Sequence, residues 1–172
     1  PTVDGDRVYV LGGSGDLTAL DLSSGRKIWS INLVRQFGGI NPYWGYSESP
    51  LVVGDRILVN AGGRRASIVA VAKADGRTLW QQHNDEAGYS SPMLLRTGSL
   101  QQVLFFTGQR ALAVDPRDGR LLWSYTKVAN NGGDLPASAA LGNGATDWAC
   151  TRDNATGLTW EVKVNDAGHL RH

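Results

Sequence analysis

One eleven-residue pattern occurs three times in this chain. It runs Ala19-Leu20-Asp21-Leu22-Ser23-Ser24-Gly25-Arg26-Lys27-Ile28-Trp29, then Ala70-Val71-Ala72-Lys73-Ala74-Asp75-Gly76-Arg77-Thr78-Leu79-Trp80, then Ala113-Val114-Asp115-Pro116-Arg117-Asp118-Gly119-Arg120-Leu121-Leu122-Trp123. In every copy an alanine stands six residues before a glycine, an arginine follows that glycine, and a tryptophan comes four after it. The local logic is that of a hairpin. A short apolar strand leads into a polar turn, a glycine free to take a positive φ closes the turn, and a second strand ends on a large ring that gains from burial. Copies recurring every 40 to 50 residues or so predict a repeat architecture.

The residues around each copy complete a unit of four short strands joined by Gly- or Asp-containing turns. Unit one carries Val8-Tyr9-Val10-Leu11, unit two Leu51-Val52-Val53 and Ile57-Leu58-Val59, and unit three Met93-Leu94-Leu95 and Val103-Leu104-Phe105-Phe106. These strands are nearly continuous in apolar residues, which predicts sheets covered on both faces. Residues 1 to 126 show no helical periodicity. Small antiparallel sheets stacked face to face around an axis satisfy all of this, so the expected fold is all-β, a β-propeller fragment of about three four-stranded blades. A sandwich would not require three matching copies. The expected units span 1–48, 49–90 and 91–135, with 136–172 as a separate tail. Pro1-Thr2-Val3 looks like strand interior, which predicts a segment of a longer chain.

Composition narrows the function classes. Seventeen basic against 16 acidic side chains leave a net charge of +1, which gives no electrostatic basis for binding nucleic acid or an anionic membrane surface. A membrane span is not expected, because no run of about 18 apolar residues occurs. Cys150 is the single cysteine, so no internal disulfide forms.

The repeated Ala-x-Asp-x-x-x-Gly-x-x-x-Trp resembles the tryptophan-docking motif of pyrroloquinoline-quinone (PQQ) type β-propeller repeats. Quinoprotein dehydrogenases carry this motif, as do the non-enzymatic outer-membrane assembly lipoproteins of the BamB type. The stretch from Asn32 through Phe37-Gly38-Gly39 and Trp44-Gly45-Tyr46-Ser47-Glu48-Ser49-Pro50 is similar to exported bacterial proteins with PQQ-like repeats. The resemblance spans about residues 1 to 135. It implies that Ala19, Asp21, Gly25 and Trp29, with Ala70, Gly76 and Trp80 and with Ala113, Asp115, Gly119 and Trp123, are docking residues. Each Trp would lie against the neighbouring blade where Ala and Gly leave room. Burying one such ring removes ~150–250 Å² from water, worth up to about 4–6 kcal/mol. Ala72 replaces the Asp in unit two, which should loosen one turn without abolishing the blade. The resemblance further implies a periplasmic or cell-surface setting.

No catalytic constellation is visible in the sequence. His169 and His172 lie at the chain end, and His83 with Asp85 and Glu86 is expected to be solvated loop polarity. The vicinal cysteine pair common in quinoprotein dehydrogenases is missing. Glu48 and Asn41 are of the type that holds calcium beside the quinone, but nothing identifies them as that set, so no cofactor is expected and PQQ with calcium is the alternative. The candidate binding loop runs from Phe37 to Glu48, with Phe37, Asn41, Tyr43, Trp44, Tyr46 and Glu48, joined by Tyr89 of the next link. Such a cluster could bind a sugar, a peptide or a cofactor ring. Capping of the seam between blades accounts for the same residues and is the favoured expectation. Partners are then further blades of the parent chain or another protein. In the tail, Asp153, Gly157 and Trp160 form a degenerate fourth docking motif. Alternatively, the run from Cys150 to Asp166 resembles the opening of an Lcl-C-terminal-like bacterial surface domain, the favoured expectation of the two.

Overall fold

The computed structural model describes residues 1–136, 139–142 and 144–161. The first sheet is a meander of β1 (Thr2–Asp4), β2 (Arg7–Leu11), β3 (Asp16–Asp21) and β4 (Lys27–Asn32), hydrogen-bonded in chain order. A short helix α1 (Leu33–Phe37) follows. The second sheet repeats the meander with β5 (Leu51–Val53), β6 (Arg56–Gly63), β7 (Ala66–Ala72) and β8 (Thr78–Gln82). The third begins in the same way with β9 (Met93–Thr97), β10 (Leu100–Phe106), β11 (Ala111–Val114) and β12 (Leu121–Ala129). It continues through β14 (Trp148–Asp153) and β15 (Thr159–Glu161), with β13 (Asp134–Leu135) also pairing with β12.

The three motif copies fold alike. Ala19 pairs directly with Trp29, Ala70 with Trp80 and Ala113 with Trp123, and the register slips by one bulge immediately after each alanine. Gly25, Gly76 and Gly119 take φ of 69, 76 and 76°. Each donates its N–H to the carbonyl four residues back, at 2.9 Å in all three turns. Asp21 and Asp115 cap their turns from the side chain, Asp21 accepting from the Ser24 N–H and Asp115 from the Arg117 N–H. Ala72 cannot, yet its turn keeps the backbone bonds, and Asp75 accepts from the Arg77 N–H as Asp118 does from the Arg120 N–H in the third turn. The turn is therefore set by its backbone, and the lost aspartate removes a side-chain bond only.

The sheets stack face to face. One core lies between the first two, with Tyr9, Leu17, Ala19 and Trp29 against Ile57, Val59, Val69 and Val71. The other lies between the second and third, with Leu58, Ile68 and Ala70 against Val103, Phe105, Leu112 and Val114. Among the described residues only the middle sheet is covered on both faces, and its two central strands are buried almost throughout.

One expectation is corrected. The first link contains a helical turn, which no 3.6-residue period could reveal over five residues. Asn32 caps it by accepting from the Arg35 N–H, and Gly38 ends it at φ 66°. The tail hairpin makes a turn like that of the motif copies. Gly157 has φ 75° and donates to the Asp153 carbonyl at 2.8 Å, the bond made by the other three docking turns. The described tail thus builds a fourth docking turn, laid edge-on against β12. His169, His172 and the end of the Lcl-like run lie outside the described residues.

Candidate interaction rim and the blade seams

The two seams are built the same way. The Trp29 indole N–H donates to the Lys73 carbonyl at 3.1 Å, and its ring lies so close over Gly76 that a Cβ there would be 2.8 Å away. The Trp80 N–H donates to the Pro116 carbonyl at 3.0 Å, and a Cβ on Gly119 would stand 2.6 Å from that ring. Trp123 behaves differently. Its N–H goes to Gln102 Oε1 of its own sheet at 2.7 Å, and it stacks near Tyr125, which in turn meets Trp160.

Sequence reasoning missed the arginines of these seams. Arg7 donates to the carbonyls of Lys73 and Ala74, and Arg56 to those of Pro116 and Arg117. The available signal was position, since each directly follows the Asp of the first tight turn in its unit. Two further ties at the second seam were expected to be solvated. Asp85 is buried and forms a bidentate pair with Arg110 at 2.7 and 3.0 Å. The His83 ring bonds the Gly119 carbonyl through Nε2 at 2.8 Å, with its backbone at φ 66°. Among the docking aspartates, Asp115 is nearly inaccessible, and the Arg117 guanidinium beside it holds its carboxyl down at about 2.

The candidate loop divides into two groups. Phe37, Tyr46 and Glu48 are buried. The Tyr46 hydroxyl donates to the Ala61 carbonyl at 2.7 Å, which pins the loop to β6. Glu48 accepts the Asn60 N–H on Oε1 at 2.7 Å, while Oε2 has no partner among the described residues. Burial pushes the Glu48 carboxyl up to about 8, and the Asn60 hydrogen bond only partly opposes it. Burial and the neighbouring Glu48 raise the Tyr46 hydroxyl to about 12. The Asn60 amide meets the Ser67 carbonyl and the Gly88 N–H and so links two strands and the next link.

Tyr43 and Trp44 point outward, 87% and 80% exposed. Their rings meet edge to face with centroids 4.7 Å apart. The Tyr89 hydroxyl accepts the Trp44 N–H at 3.3 Å, which brings the two links together, and Asn41 stands exposed beside them. Phe37 and Tyr46 are packed into the core between the first two sheets, whereas Tyr43, Trp44 and Tyr89 face outward. These three form an aromatic patch that is held in place from below. Such a surface offers flat apolar area at little conformational cost and suits macromolecular contact.

The calcium set of the quinoproteins does not assemble from this segment. Glu48 is buried against backbone and Asn41 is exposed in the loop. Among the described residues no group of three or more His, Cys, Asp or Glu side chains is placed to hold a metal ion. No helix among the described residues is long and apolar enough to cross a membrane.

Stacked four-stranded meanders, with an indole of the first and of the second sheet on a glycine of the next, define a propeller of the PQQ-repeat class. A family model described as outer membrane protein assembly factor BamB matches residues 1–165, so the chain belongs to that family of PQQ-like propeller repeats. The match runs across the tail hairpin, in keeping with its docking-turn geometry. A quinoprotein ethanol dehydrogenase of Pseudomonas aeruginosa is 27% identical over 87% of this chain and 26% of its own length. The outer membrane protein assembly factor BamB of Salmonella typhimurium is 39% identical over 48% of this chain and 18% of its own length. The chain thus spans about a quarter or less of these curated relatives. Among solved structures, BamB from Moraxella catarrhalis superposes with a TM-score of 0.55 at 20% identity, covering 90% of this chain and 48% of that one. The quinohemoprotein alcohol dehydrogenase of Comamonas testosteroni gives 0.55 at 17% identity, over 72% and 20%. At these identities the structural likeness speaks for the fold.

Proposed function

We propose that this chain is a non-catalytic interaction module of an exported bacterial protein and that it binds protein partners through the rim at Tyr43, Trp44 and Tyr89. The observation that carries this reading is the outward, edge-to-face pair of Tyr43 and Trp44 on a loop whose other aromatic side chains, Phe37 and Tyr46, are buried. The BamB relatives support an assembly role and a setting outside the cytoplasm. The test is site-specific photocrosslinking in cell-envelope material, with the photoreactive group at Trp44 and a control at exposed Leu22. Protein adducts at Trp44 that vanish on Tyr43→Ser are expected, judged against a second control at exposed Asp75 of the middle sheet. Equal labelling at Trp44 and the controls would overturn the rim.

The dehydrogenase relatives favour a second reading, a segment of a quinoprotein-type oxidoreductase. Its discriminating measurement is a thermal-shift titration with PQQ and calcium. Saturable stabilisation that a chelator removes would establish this second reading in place of the first.

A further inference from the structure

The first hairpin of the third sheet is longer than its counterparts. In the first two sheets the ladder ends at Asp4–Arg7 and at Val53–Arg56, each closed by a two-residue turn. Leu58 and Leu104 both pair with a docking alanine, so Gln102 holds in the third sheet the place of Arg56. There Leu95 pairs with Gln102, and the ladder runs on through Arg96–Gln101 and Thr97–Leu100. The extension lies at the far end of β9 from the link that enters it, and so at the opposite end of the strands from the aromatic rim.

Leu94 packs against the core of the second seam. Side chains two apart on a strand share a face, so Arg96 and its cross-strand neighbour Gln101 overhang that seam. They wall a cleft of about 390 Å³ between the second and third sheets, with Val52, Val53 and Leu94 as its apolar lining and Arg56 and Arg117 opposite. A smaller hollow of about 180 Å³ continues it past Gln101 and Arg117 to Ser99 and Leu100. Together they form an elongated groove whose walls both belong to sheets described above.

The charge of this groove is uneven. Arg56 is paired with Asp55, and Arg117 with the buried Asp115. Arg96 is exposed and has no ion pair among the described residues. The corresponding cleft of the first seam is of similar size, about 410 Å³, but sets Asp4, Asp6 and Asp55 against Arg7 and Lys73. The same place in successive seams thus carries opposite excess charge, and of the two only the positive cleft is walled by a lengthened hairpin.

We infer that this groove docks an extended acidic segment of a protein partner, with a carboxylate on Arg96 and Gln101 and a neighbouring apolar side chain on Val53 and Leu94. The guanidinium fork matches a carboxylate in shape as well as charge. The length of the groove suits an extended chain, and the apolar lining beside the arginine selects acidic residues flanked by aliphatic ones. This is a second docking face, and it does not rest on Tyr43, Trp44 and Tyr89.

Fluorescence anisotropy tests it, with a labelled peptide of alternating leucine and glutamate and its leucine–glutamine counterpart. The glutamate peptide should bind saturably and the glutamine peptide should not. Arg96→Glu should weaken binding about tenfold or more, the scale of a lost hydrogen bond to a charged group, with an unchanged circular dichroism spectrum. Arg96→Lys, which keeps the charge and loses the fork, should fall between the two. Arg64→Glu, exposed in the β6–β7 turn at the other end of the strands, should bind as the wild type. Equal binding of the two peptides, or no binding of either, would overturn the inference. So would an Arg96→Glu chain that binds as well as the wild type, or an equal loss in Arg64→Glu, which would mark net charge instead of the groove. Tyr43→Ser should leave this affinity unchanged, so failure here and failure of the rim are separate results.

Discussion

Glu48 is the residue whose chemistry departs furthest from its sequence context. Its carboxyl is enclosed, with one oxygen on a backbone N–H and the other unpartnered. The folded state therefore favours the protonated form, at about 8. A group whose folded pKa is raised contributes stability that is complete below its unfolded pKa near 4.5 and is lost as pH rises toward 8. Within that window the loss is about 1.4 kcal/mol per pH unit. Glu48→Gln keeps the shape and removes the titration, so its urea midpoint should exceed that of the wild type at pH 8 and flatten between pH 5 and 8. A parallel pH profile for the two proteins would show that Glu48 does not set the slope. None of this was legible in the sequence, where Glu48 sits among Ser and Tyr in a polar link. Its burial comes from Tyr46 and Asn60, which fix the loop from positions two residues before it and twelve after it.

At the scale of the element, the docking hairpin is the part of the structure that the sequence foretold most fully. Its strands, turn and ring follow from eleven contiguous residues, and local turn chemistry is what a single sequence encodes well. The seam staples escaped because they join an arginine or histidine to carbonyls 36 to 67 residues away, and a carbonyl has no sequence signature. The glycines of the motif carry two separable demands, a positive φ and space for a ring. Gly25→Ala meets only the first, since no atom lies near its Cβ, while Gly119→Ala meets both. Gly119→Ala should therefore be more destabilising than Gly25→Ala by about 1–3 kcal/mol, the usual range for overpacking. Chemical denaturation of the two variants measures the difference, and equal losses would mean that backbone strain alone sets the requirement.

In the whole molecule, stability is distributed over two seams in series, as in other stacked repeats. The second seam has an extra tie, the Asp85–Arg110 pair between the second link and the third sheet. Removing Arg110 leaves a buried carboxylate alone, which costs about 3–5 kcal/mol for a fully enclosed pair and toward the lower end here, because Arg110 remains 26% exposed. Arg110→Met should thus speed hydrogen exchange in β10 to β12 ahead of β6 and β7. Uniform acceleration across all three sheets would instead mark one cooperative unit. The arrangement of sheets was legible from motif spacing, whereas the outward turn of Tyr43 and Trp44 was not, because exposed and seam-capping aromatics look alike in a glycine-rich loop. The seams have one more property with a long reach. Four of their side-chain donors, Trp29, Arg7, Trp80 and Arg56, end on main-chain oxygens, and the accepting residues are as unlike as Lys73 and Pro116. The part of the joint built from these donors and a glycine reads only the peptide backbone, so it does not depend on the side chains of the unit it receives. Gene duplication, deletion or reshuffling of such units can lengthen or shorten the array without redesigning the contact each time.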